Sequence, residues 1–216
     1  MHKPKIYATK VRHLTDARYF AAQGVDFIGF NVEVGNKEAL TIEQFQEIKG
    51  WLAGVELAAE LGSFMQLEKA QDLLRELKVK TVLLPYVVPP VGLKEDGSDY
   101  LLIHQLNIQT NTESNWAALR EMAKFYQQLT QSDMFLINLS DFGDFTTDMG
   151  TVREIEKMNK EFNCFFQFDM PTLSLKRVLK RIALHGLVMQ GGDEEKIGVK
   201  SFDYLNSVFE LFEEEQ

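Results

Sequence analysis

The stretch KIYATKVRHLTDARYFAAQGVDFIGFN, residues 5–31, holds a complete strand–helix–strand unit. Lys5 to Val11 is a short apolar run of strand type. A helical pattern follows from about Asp16 to Gln23 and stops at Gly24. Asp26 to Asn31 (DFIGFN) is the second run. Parallel strands need a crossover, most often a helix, whereas antiparallel neighbours need only a tight turn. The unit therefore starts a parallel sheet.

The alternation continues outward from that unit. A helix is expected from Thr41 to Leu52, with Thr41 as N-cap. Gly54–Glu60 is the third run. Ser63 and Gln66 stand at capping-box spacing before a helix reaching about Lys78. Lys80–Leu84 is the fourth run. Pro85, Pro89, Pro90, Gly92 and Gly97 come next, so the fourth helix is expected to be short or missing. Further runs are Tyr100–Asn107, Met134–Leu139, Cys164–Phe168 and Gly186–Gln190. Helical patterns cover Ser114–Gln131, Thr151–Phe162, Leu173–Leu184 and Phe202–Phe212. Eight apolar runs, most followed by a helix, read as an α/β protein. The count and the length of 216 residues favour one closed (β/α)8 TIM barrel, a single domain spanning 1–216, over an open sheet.

Bulk composition excludes several function classes. Apolar residues are 45% and charged residues 25% of the chain, a globular balance. The net charge of −9 argues against non-specific contact with nucleic acid or an anionic membrane. No apolar run nears the roughly 20 residues that span a bilayer. The single cysteine, Cys164, sits in an apolar run and reads as a buried thiol, which fits a reducing, cytoplasmic setting. Glu213, Glu214 and Glu215 read as a solvated acidic end.

Three segments resemble phosphoribosylanthranilate isomerase, a barrel enzyme of tryptophan synthesis. In Tyr7–Phe30, Asp16, Ala17, Gly24, Asp26, Gly29 and Phe30 match the family's Asp-Ala and Gly-x-Asp-x-x-Gly-Phe pattern. Leu40–Glu43 is similar to its second helix start. In Gly186–Leu205, Gly192, Glu194, Gly198, Val199 and Lys200 fit its last strand and loop. The resemblance implies an Amadori-type aldose–ketose isomerisation of a sugar phosphate without a cofactor. It places a cysteine base at the end of the first strand, where this chain has Thr9, or Tyr7 in a second alignment. It places an aspartate acid at the end of the sixth, where this chain has Asn138. A hydroxyl is a poor base and an amide cannot deliver a proton. Asp141, three residues on, is the nearest replacement acid. The implied phosphate turn after strand seven reads Phe168-Asp169-Met170-Pro171, while Gly191 and Gly192 keep the strand-eight half.

A site at the C-terminal strand ends gathers Thr9, Asn138 and Asp141 as catalytic candidates. Lys10, Asn31, Glu60, Tyr86, Gln105, Gln167, Asp169, Gln190, Gly191 and Gly192 are the ligand-binding candidates. Amides and carboxylates dominate and arginine is missing. That composition suits a small polar molecule such as a neutral sugar or polyol, or a cation, better than a sugar phosphate. Glu33, Glu60, Asp141 and Asp169 could gather a hard metal, but no metal-type spacing supports one. Lys10 reads as a solvated rim lysine, with anion binding or Schiff-base formation as the functional alternatives. His104 reads as a barrel histidine, with His13 and His185 in loops or on helix surfaces. Three functions stay open: a diverged barrel that acts on or binds a small polar ligand, a working isomerase with shifted residues, and a non-catalytic barrel for protein association. The chain would be a monomer or homodimer.

Overall fold

The computed structural model describes residues 3–33, 35–87, 89–95, 97–108, 110–191, 194–196 and 199–213. The strands are β1 (Lys5–Thr9), β2 (Phe27–Asn31), β3 (Glu56–Glu60), β4 (Thr81–Leu84), β5 (Leu101–Asn107), β6 (Met134–Asn138), β7 (Cys164–Gln167) and β8 (Gly186–Gln190). They pair in chain order, all parallel, and β8 returns to β1 to close the cylinder. The helices are α1 (Leu14–Ala22), α2 (Ile42–Gly50), α3 (Leu67–Leu77), α4 (Glu113–Thr130), α5 (Met149–Glu161), α6 (Thr172–Arg181) and α7 (Asp203–Glu213). A two-stranded hairpin, β9 (Glu194–Lys196) with β10 (Val199–Lys200), precedes α7 and had no counterpart in the apolar pattern. No described helix is long and apolar enough to cross a membrane.

Between β4 and β5 no helix occurs among the described residues. Pro85, Pro89 and Pro90 lack amide donors, and Gly92 and Gly97 take positive φ of 96° and 81°. The expected start of α2 is met: Thr41 and Gln44 cap each other, Gln44 N donating to Thr41 Oγ1 at 3.2 Å and Thr41 N to Gln44 Oε1 at 2.9 Å. The matching expectation at Ser63 fails. The helix starts at Leu67, Gln66 makes no side-chain cap, and Phe64 turns the chain at φ 62°.

Side chains alternate along each strand, giving two apolar layers. Tyr7, Phe27, Ala58, Leu83, Ile103, Leu136, Phe165 and Val188 fill the barrel interior. Ile6, Ile28, Phe30, Val82, Leu102, Phe135 and Phe166 pack outward under the helices. The interior is crowded. Tyr7 lies 6.0 Å from the rings of both Phe27 and Phe165. Phe165 sits over Gly186, where a Cβ would come 2.2 Å from its ring.

His104 belongs to the outer layer and not to the mouth. It is fully buried on β5 and stacks on Tyr126 of α4 at 3.9 Å between centroids. Neither ring nitrogen has a hydrogen-bond partner among the described residues. Burial pushes its pKa from 6.5 down to about 4. The unfolded chain therefore binds this proton more readily. The associated stability is intact above pH 6.5, declines as pH falls, and is fully lost below about pH 4, a loss of roughly 3 kcal/mol. Urea unfolding from pH 7 to pH 4 should show that slope, and His104→Phe should flatten it.

Candidate functional site

Parallel closure brings eight C-terminal strand ends to one rim, where the last inward-facing position is polar on every strand but β4, which ends in Leu83 and Leu84. Thr9 stands beside Gln190, Asn31 beside Glu60, and Asn107 beside Asn138, which in turn neighbours Gln167. Two cavities open there, one in each half of the mouth.

The smaller cavity, about 110 Å³, is lined by Thr9, Lys10, Asn31, Glu33, Glu60, Leu61, Leu83, Pro85 and Gln105. Its centre is Glu60, which is 7% exposed. Thr9 Oγ1 donates to Glu60 Oε1 at 2.7 Å, and Tyr7 OH donates to the same oxygen at 3.3 Å. The Lys10 backbone N–H reaches both carboxylate oxygens at 3.2 Å. Lys10 adopts φ 53°, a left-handed conformation that a lysine rarely takes. The contact with Glu60 offsets that strain.

Desolvation raises the pKa of Glu60, and it is partly offset by the Thr9 hydrogen bond, the Lys10 amide and charge, and the Tyr7 hydrogen bond. Desolvation also holds the Tyr7 phenol well above its usual range, with the Glu60 charge adding to the rise. The phenol stays protonated and donates. Gly29 on β2 makes this packing possible, because a Cβ there would lie 2.1 Å from Glu60 Oε1 and 2.5 Å from Tyr7 OH.

The larger cavity, about 750 Å³, lies at the ends of β6, β7 and β8. Its polar wall has Asn138, Ser140, Gln167, Asp169, Gln190, Gly191, Ser201 and Tyr204. Its apolar wall runs between strands and helices through Leu175, Leu187, Met189, Leu205 and Val208. The Asn138 Oδ1 accepts from Ser140 N at 2.9 Å. Tyr204 donates to the Met170 carbonyl at 3.0 Å, and burial together with the Asp169 charge raises its pKa. No lysine or arginine is among the described lining residues. The Asp16 carboxylate adjoins Gly191, with Oδ2 2.9 Å from where a Cβ would stand.

The strand-end candidates thus divide between the halves: Thr9, Lys10, Asn31, Glu60 and Gln105 around one cavity, and Asn138, Gln167, Asp169, Gln190 and Gly191 around the other. Asp141 is exposed on a single 3-10 turn, Ser140–Phe142, and Tyr86 is half-buried; neither lines a cavity. Gly192 lies outside the described residues. Among the described residues no group of three or more His, Cys, Asp or Glu gathers as a metal site. Cys164 is buried outside both cavities, and burial pushes its thiol pKa up. Ser140, Ser201 and Tyr204 were not singled out in the sequence. A turn and the first turn of a helix carry no signal of which side chain faces the mouth. Tyr7 was legible only as an alternative to Thr9, and in fact both contact Glu60.

No protein-family model matches the chain, and no curated protein matches it in sequence. Solved structures do match over the whole chain. The phosphoribosylanthranilate isomerase of Thermus thermophilus is 19% identical, with a TM-score of 0.70, and the alignment covers 98% of this chain and 100% of that one. The N-(5'-phosphoribosyl)anthranilate isomerase of Pyrococcus furiosus is 10% identical, with a TM-score of 0.73 and the same coverage. A further such isomerase, solved with reduced 1-(o-carboxyphenylamino)-1-deoxyribulose 5-phosphate, is 15% identical, with a TM-score of 0.70 and again 98% and 100% coverage. These neighbours are phosphoribosylanthranilate isomerases, in line with the resemblance of the chain's two ends, and a type I 3-dehydroquinate dehydratase of Clostridium difficile also matches, at 14% identity and a TM-score of 0.63 over 100% of this chain and 95% of that one. At these identities the likeness establishes the fold.

Gly29→Ala should destabilise the protein by about 1–3 kcal/mol through overpacking against the Glu60 carboxylate. Chemical denaturation measures this loss. In a Tyr7→Phe background the cost should shrink, because one of the two clashing oxygens has gone.

Proposed function

We propose that this chain is a diverged isomerase-type barrel that binds, and acts on, a small polar ligand at the C-terminal mouth, and that this ligand carries no phosphate. The observation that supports the reading is the charge of the larger cavity. Asp169 lines it, with no cation among its described lining residues. A phosphate dianion needs backbone donors, a helix N-terminus or cations. Here it would meet the Asp169 carboxylate, and α6 begins after Pro171, which has no N–H to offer. A neutral polyol or sugar, or a cationic molecule, meets amide and hydroxyl partners on one wall and an apolar surface on the other.

The neighbour solved with a phosphorylated ligand analogue makes a sugar phosphate the natural competing ligand. A working isomerase with shifted residues is the second reading. It is favoured by Glu60, an ionisable group hydrogen-bonded to the Thr9 hydroxyl. We assign the protein to the cytoplasm, as a monomer or homodimer.

Two measurements test the reading together. The chain should fail to restore growth of a tryptophan auxotroph lacking phosphoribosylanthranilate isomerase, and Thr9→Cys with Asn138→Asp should not rescue it while Asp169 remains. In thermal denaturation, inorganic phosphate and ribose 5-phosphate should leave the midpoint unchanged. Unphosphorylated pentoses or polyols near saturation should raise it by about 5–10 °C, since 100-fold excess over Kd is worth about 2.7 kcal/mol. Growth rescue by the unmodified chain, or stabilisation by phosphate, would reverse the conclusion.

A further inference from the structure

We infer that Glu60 is the proton-transfer residue of this mouth, moving a proton between adjacent carbons of a small unphosphorylated hydroxy-carbonyl compound. The inference rests on the proposed reading of the mouth as a ligand site, and it names the reacting group and the substrate class.

Three observations point to it. Glu60 lies at the end of β3 with its carboxylate in the wall of the smaller cavity. Three donors converge on Oε1, namely Thr9 Oγ1, Tyr7 OH and Lys10 N, whereas Oε2 receives only the Lys10 amide at 3.2 Å. One oxygen is thus anchored, and the other has a lone pair left for a ligand proton. The cavity holds about 110 Å³. It suits the reacting end of a small molecule and not a whole sugar with its substituents.

Carbonyl activation is at hand. Lys10, Gln105 and Asn31 line the same cavity, offering an ammonium and two amides to a developing oxyanion. The step balances without any co-reactant. The carboxylate takes the proton from the hydroxyl-bearing carbon beside an aldehyde, and that C–H pair becomes the C=C bond of an enediolate. The former aldehyde oxygen takes the charge. Glu60 then returns its proton to the terminal carbon, the hydroxyl proton moves to the terminal oxygen, and the second carbon becomes the ketone. Burial of the carboxylate, which raises its pKa, suits a base that must work near neutral pH.

The experiment uses the full chain in D2O with erythrose, ribose and xylose as probes. Proton NMR follows exchange at the carbon beside the carbonyl, and thermal denaturation of the same samples follows binding. The unmodified chain should exchange that proton above the buffer background for a sugar that raises the midpoint. Glu60→Gln should cut exchange by about 10²–10⁴-fold while keeping the thermal shift.

Thr9→Val keeps the carboxylate and removes its shortest hydrogen bond, so it tests the assignment even where Glu60→Gln folds poorly. Because that bond stabilises the ionised form, its loss should move the rise of exchange with pH to higher pH. The other titratable groups around Glu60 are Tyr7 of β1, Lys10 just after β1 and Glu33 after β2; Leu83 of β4, Pro85 just after it and Gln105 of β5 complete the wall. Equal exchange in Glu60→Gln and the unmodified chain would overturn the inference. So would a thermal shift without exchange, which leaves binding standing and makes Glu60 a structural carboxylate. Absence of both shift and exchange removes the ligand-site reading and the inference together.

Discussion

The pairing of β1 with β8 is the constraint on which everything else in this molecule depends. Five residues of β1 align with five of β8, from Lys5 opposite Gly186 to Thr9 opposite Gln190. That seam removes the two open edges that a parallel sheet of eight strands would expose. It also brings the first strand end beside the last, so residues far apart in the chain share one rim. Because side chains alternate, closure sorts each strand into an inward and an outward set with no freedom to mix them. His104 and Gln105 are neighbours in sequence, yet one is sealed under α4 and the other lines a cavity at the mouth.

The inward set holds three aromatic rings, Tyr7, Phe27 and Phe165, among aliphatic side chains, with Gly29 and Gly186 leaving them space, and the top of that column ends in a buried carboxylate. A buried charge is costly unless it is hydrogen-bonded. Glu60 meets this requirement with two hydroxyls and a backbone amide. In turn it fixes Lys10 in a conformation that a free chain would avoid. The same contacts that stabilise the carboxylate orient it toward the cavity.

The two halves of the mouth differ in character. The β1–β5 side is tight and holds the ionisable groups Lys10, Glu33 and Glu60. The β6–β8 side is seven times roomier by volume, amide-lined, and opens to an apolar wall under α6 and α7. Phosphoribosylanthranilate isomerases are among the structural neighbours. In this mouth Asp169 lines the larger cavity and the Asp16 carboxylate adjoins Gly191.

Periodicity and turn chemistry are local, and what they encode was legible in the sequence. The eight strands, the seven helices among the described residues, the cap at Thr41 and the lost helix after β4 all follow from spacings of two to four residues and from prolines that remove donors. The polar strand ends were legible on the same basis. The same local logic failed at Ser63, where the path of the chain into α3 overrode a favourable spacing. Nor could it choose between Tyr7 and Thr9, or show that both donate to a carboxylate more than fifty residues away. That convergence, the space left by Gly29, and the burial that perturbs Glu60 and His104 exist only once the cylinder has closed, since desolvation and through-space contact are properties of the packed interior and not of the chain.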